Sequence, residues 1–126
     1  MDDHEFKTYV DEGIAALPEW VRKKLVNVAI FVRHNVSKRQ RKAEGLKPGD
    51  TLFGLYEGVP LSERGEEAPL LPDTITIFKK PILDSFKNVE DIRECVMNTV
   101  WHEVAHFIGH GEEWIELEEV RRGKTK

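Results

Sequence analysis

The sequence predicts an α+β domain, and three observations carry that prediction. Apolar residues recur at helical spacing towards both ends, β-branched and alternating runs fill the middle, and all of it lies within 126 residues. Strands grouped together, with helices before and after them, are the pattern of an α+β domain rather than of alternating βαβ units. A chain of this length holds one domain, residues 1–126, with one modest core and no separate substrate domain.

The elements follow in order. Phe6, Tyr9, Val10, Ile14 and Leu17 recur every three or four residues, which makes one apolar stripe on a first helix. Pro18 ends it and opens a short second helix through Glu19–Lys24. Val26–Val32 is β-branched with both faces largely apolar, which predicts a well-buried strand. Residues 37–50 break the pattern: Lys38, Arg39, Arg41, Lys42 and Lys47 predict a solvated basic loop closed by Pro48-Gly49-Asp50. Leu52–Gly58 predicts a short strand between glycines. A polar loop from Ser62 to Glu67 follows, and Thr74–Phe78 alternates as a half-buried strand. Pro81 predicts a short helix through Ile82, Leu83 and Phe86. Asn88-Val89 opens a long helix to about Ile108, which Gly109 and Gly111 break. Trp114, Ile115 and Leu117 predict a last helix, and the tail is polar from Arg121 to Lys126.

Composition narrows the function. A net charge of −4 gives no electrostatic reason to expect nucleic acid as a partner. A single cysteine excludes an internal disulfide framework and fits a reducing compartment. The acidic start Met1-Asp2-Asp3-His4-Glu5, with no long apolar run after it, argues against a signal peptide or membrane span, so the expected location is cytoplasmic.

Chemistry concentrates in the long helix, at His102-Glu103-Val104-Ala105-His106. Four residues turn a helix through about 400°, so the two imidazoles stand one turn apart on one face. They can share one divalent metal, and Glu103 beside the first ligand can act as general base on a water held there. On the helical wheel Ile92, Val96, Met97, Val100, Trp101, Val104, Phe107 and Ile108 share the side away from both histidines. Cys95, Asn98, Thr99 and Ala105 share the histidine side, and their small size leaves room above it. Cys95 itself lies about 10 Å from His102 along the axis and cannot join the same metal.

A catalytic zinc takes three protein ligands and a water. Gly109 permits a turn after His106, and Glu112 completes the spacing HExxHxxGxxE, where the longer zinc motif has histidine. Glu112 is therefore the expected third ligand. His110 is the alternative, reached only through a bend, since His102 and His110 in a straight helix stand about 12 Å apart.

These residues belong to a wider resemblance. The chain resembles the small bacterial zincin-like metallopeptidase family in Ala16-Leu17-Pro18-Glu19, Asn27-Val28-Ala29, Leu55–Leu61 with Glu63-Arg64, and Leu71-Pro72-Asp73 with Ile75, Ile77, Phe78 and Pro81. It does so again in His102–His106 with Gly109. The resemblance implies a compact α+β zincin-like fold with a small sheet and an active-site helix. It also implies Zn2+ held by His102 and His106, with Glu103 as catalytic base. The family often has aspartate where this chain has Glu112.

The expected reaction is hydrolysis of peptide bonds, with Glu103 taking a proton from water and passing it to the leaving amine. Thr74, Ile75, Thr76 and Ile77 are the expected strand for an extended peptide, and the Tyr56 hydroxyl is a candidate donor to an oxyanion. The expected partner is a peptide or protein substrate, with a further protein completing the cleft as a second possibility. The rival readings are a metal-binding, catalytically idle protein acting as a partner-binding or regulatory module, which the shortness of the chain favours, and a zinc hydrolase of non-peptide amides.

Overall fold

The computed structural model describes residues 1–64 and 72–109. Asp2 caps α1 (Asp3–Ala15) by accepting from the Glu5 N–H. Pro18 leads into α2 (Glu19–Arg22), a turn of 3-10 helix over Leu25–Asn27 follows, and β1 runs Val28–Arg33. Next come α3 (Lys38–Ala43), β2 (Gly54–Glu57) and a second 3-10 turn at Leu61–Glu63. Then β3 (Asp73–Phe78), α4 (Lys79–Ser85) and α5 (Val89–Ile108) complete the described part. No helix among the described residues is long and apolar enough to cross a membrane.

The sheet is mixed, in the order β1-β3-β2, with β1 parallel and β2 antiparallel to β3. Its two sides are covered differently. Ile75 and Ile77 of β3 join Phe6, Val10, Val96, Val100, Val104 and Phe107 in one core between the sheet, α1 and α5. On the other side Leu55 and Phe78 pack with Val36, Leu46 and Leu52, which the segment around α3 brings over the sheet. The α1–α5 contact is close, with Val100 against Gly13, and the buried Trp101 indole N–H donates to the Gly13 carbonyl at 3.0 Å. The Arg93–Glu12 pair at 2.7 Å ties the rim of that contact.

Three readings of the sequence change. The basic stretch is not all loop, because Ser37 and Gln40 form a reciprocal capping box that starts α3. The Arg41 guanidinium then holds the Lys47 and Asp50 carbonyls at 2.8 Å, which folds the rest of the stretch onto that helix. The strand expected to be deeply buried, β1, is an edge strand with Phe31 and Arg33 exposed. The strand expected to be half-buried, β3, is central and covered on both sides. The first helix, the short helix around Pro81 and the limits of the long helix agree with the sequence reading. The expected last helix and polar tail lie outside the described residues, as does most of the polar loop before β3.

Candidate metal centre

The site is built on the last two turns of α5. Its apolar face is pinned by Val100, Trp101, Val104, Phe107 and Ile108, all buried, so the opposite face must point away from the core. That face carries His102 and His106, both exposed, with ring centroids 4.4 Å apart. Asn88 caps the start of α5, and Gly109 stops it at φ +86°, a backbone angle that side-chain-bearing residues rarely adopt. Gly109 also lies so close to Ser62 and Pro60 that a Cβ would collide with the Leu61–Glu63 turn.

Glu103 sits between the two imidazoles in sequence but inside the protein in space, only 5% exposed. Its Oε1 accepts the Tyr56 backbone N–H at 3.0 Å and lies 3.4 Å from His106 Nδ1. Burial pushes its carboxyl up to about 7; the Tyr56 N–H opposes the shift and the charge of Glu44 adds to it. Such a group can exchange protons with water near neutrality, which suits a general base. A divalent cation beside it would draw the value down again.

His102, Glu103 and His106 offer ligating atoms that all lie within 4.8 Å of one another. Two neighbouring imidazoles suit zinc as donors, the carboxylate beside them suits a base on water held there, and the exposed rings leave a side open to a further ligand. The residues present therefore fit the metal that the motif implies. Glu112 and the alternative His110 lie outside the described residues.

Strand β2 brings in what the sequence reading missed. Residues 53, 55 and 57 turn their backbone towards β3, as the Phe78 N–H to Phe53 carbonyl bond shows. Gly54 and Tyr56 therefore turn theirs to the other edge, where Glu103 waits. Gly54 permits this approach: a Cβ there would lie 2.6 Å from Thr99 Cγ2 and 3.1 Å from Glu103 Cγ. A glycine inside a strand is the sequence signal for such close contact.

Two expected substrate contacts are corrected. Thr74, Ile75, Thr76 and Ile77 have no open edge, because β3 is paired with β1 on one side and β2 on the other. The Tyr56 hydroxyl is not aimed at the metal centre. It is buried near the Arg64–Asp73 ion pair, without a hydrogen-bond partner among the described residues, and its ring meets Phe107 edge-on at 5.9 Å. Burial foremost, then the Asp73 charge, push that phenol up to about 12. What Tyr56 contributes to the site is its backbone N–H.

A cavity of about 760 Å3 opens beside His102 and Glu103, running towards the start of α5. A smaller one of about 440 Å3 lies on the other side, by His106, Ser62 and Gly109. The metal centre thus stands between two hollows.

A comparison with curated proteins finds no match. Residues 25–122 match the zincin-like metallopeptidase family, a span that takes in the sheet, α5 and the whole HExxH segment. With that span and the His102–Glu103–His106 cluster in place, the chain belongs to the zincin-like metallopeptidase family.

Proposed function

We propose that the protein is a zinc-dependent peptidase in which His102 and His106 hold the metal and Glu103 is the general base. The observation that carries this reading is the contrast within one helical turn: two exposed imidazoles beside a buried carboxyl, with ligating atoms all within 4.8 Å of one another. Zinc bound there would acidify water and polarise the carbonyl under attack. Glu103 takes the proton released by the attacking water and delivers it to the departing amine. The Tyr56 N–H fixes the orientation of the Glu103 Oε1 for the first transfer.

An extended peptide would lie along the outer edge of β2 rather than on β3. Among the described residues β2 pairs on one edge only, and the Gly54 backbone and the Tyr56 carbonyl face the other, the Tyr56 N–H there being held by Glu103. Glu112 is kept as the proposed third ligand, with His110 as its alternative, on the motif spacing. The proposed location is the cytoplasm, on the single cysteine.

The test is metal content and cleavage on the same protein, purified without a metal-binding tag. About one zinc per chain is expected, lost in His106→Ala and weakened in Glu112→Ala. Glu103→Gln should retain zinc and lose peptide cleavage by at least 100-fold. Full cleavage by Glu103→Gln removes the base assignment, and zinc without cleavage of any peptide leaves a metal-binding module.

A further inference from the structure

The larger cavity shows what kind of residue the substrate brings. Its walls come from three parts of the chain: the approach to β2 at Thr51–Gly54, the end of α4 with Phe86, and the exposed side of α5. The α5 wall carries Asp91 and Glu94, both exposed, and neither forms an ion pair among the described residues. No lysine or arginine is among the described residues that line the cavity. Phe53 and Phe86 stand tilted to each other, centroids 6.1 Å apart, both facing the same space. Carboxylates with aromatic faces form a receptor for a planar or pointed cation, here at the end of the cavity away from the metal that His102 would hold.

The distances select a long side chain. Glu94 precedes His102 by eight residues, about 12 Å along the axis. A residue seated next to the metal must carry its charge most of that way to meet the carboxylate. Lysine and arginine have the flexible stems for it, and arginine also stacks on the aromatic rings.

We propose that this cavity holds the side chain of an arginine or lysine flanking the scissile bond of the peptide. The proposal rests on the peptidase reading for its place in the reaction, but the cavity binds the cation whether or not a bond is cut. A peptide antiparallel to β2 puts its residues after the scissile bond at the Gly54 end, over this cavity. Cleavage is then expected on the N-terminal side of the basic residue.

Two measurements separate this proposal from the peptidase reading. The first is binding without chemistry: amide NMR of the zinc-loaded protein titrated with N-acetyl-arginine methylamide and, separately, N-acetyl-norleucine methylamide. The arginine compound should shift the amides of Cys95, Asn98 and Thr99 at concentrations about tenfold lower. Asp91→Asn with Glu94→Gln should bring the two compounds within twofold while zinc content stays the same. The single variant Glu94→Gln, and the wild type in high salt, should each give an intermediate loss. Equal binding of the two compounds, or an arginine preference that survives the double substitution, overturns the proposal. The second is cleavage of a peptide mixture. Cutting before arginine or lysine supports the proposal, and cutting without regard to them, or after them, overturns it. Arginine binding with no cleavage of any peptide supports the cavity's selectivity and counts against the peptidase reading alone.

Discussion

Gly54→Ala tests how the strand and the active-site helix are joined. Alanine in place of a strand glycine ordinarily stabilises a protein by about 0.4–1 kcal/mol, because the unfolded chain loses freedom. Gly54 has no left-handed backbone angle to forbid the change. Here the new Cβ would lie 2.6 Å from Thr99 Cγ2, 3.1 Å from Glu103 Cγ and 3.2 Å from the Thr76 carbonyl oxygen. Carbon atoms rest at about 3.5–4.0 Å, so β2 must move roughly 1 Å away from α5. α5 does not follow, since Trp101 and Val100 anchor it on α1. The overpacking costs about 1–3 kcal/mol. The same shift takes the Tyr56 N–H beyond hydrogen-bond range of Glu103, from 3.0 Å at present. We expect a net loss of about 2–4 kcal/mol in urea unfolding of metal-free protein, the sum of the strain and the lost bond. Peptide cleavage should fall about 100-fold, as for a catalytic group displaced by 1 Å. The decisive arm is Thr99→Ser. It removes the offending methyl and keeps the hydroxyl that donates to the Cys95 carbonyl at 2.7 Å. In that background Gly54→Ala should cost at least 1 kcal/mol less, read as a double-mutant coupling. Additive effects, or a stabilised single variant, would falsify the close-approach argument.

Three further outcomes are expected. Because Glu103 is raised from 4.5 to about 7, folding favours its protonated form: in chelator its own contribution to stability is fully present below pH 4.5, and about 3 kcal/mol of it is lost as pH rises through 7. Glu103→Gln should lack that decline, and parallel urea midpoints from pH 5 to 8 for the two proteins would remove it. Tyr56→Phe should keep cleavage within twofold and hold or raise stability by up to about 1 kcal/mol, because the lost hydroxyl is buried without a partner among the described residues; a large drop in kcat would restore the oxyanion role. Zinc at 100 times its dissociation constant should stabilise the wild type by about 2.7 kcal/mol in thermal unfolding, and His106→Ala by much less.

The readable and unreadable parts of this chain differ in the range of the interactions behind them. His102, Glu103 and His106 stand within one helical turn, and helical geometry alone puts the two imidazoles together. Asn88 and Gly109 mark the ends of α5 by rules that act over three or four residues. α3 was open to the same logic through Ser37 and Gln40, but six residues are too few to show periodicity, and a run of lysines and arginines resembles a solvated loop. The environment of Glu103 was not legible, because its buried state depends on Tyr56, 47 positions away, and on the missing side chain of Gly54.

Strand order was hidden for a related reason, and it bears most on function. Alternation in Thr74–Phe78 resembles one wet face, yet Leu55, Val36 and Phe78 gather under the segment around α3 and close that face. The apolar run of β1 resembles a central strand, yet it ends at the sheet's edge. Hydrophobic pattern alone does not tell how much of either strand is covered, and pairing decides which backbone remains open. The candidate metal ligands depend on helical geometry within one turn and substrate seating on strand pairing. The proposed place of the peptide therefore moves from β3, which is paired on both edges, to β2, and the cavity at the Gly54 end is the one proposed to meet the residue after the scissile bond.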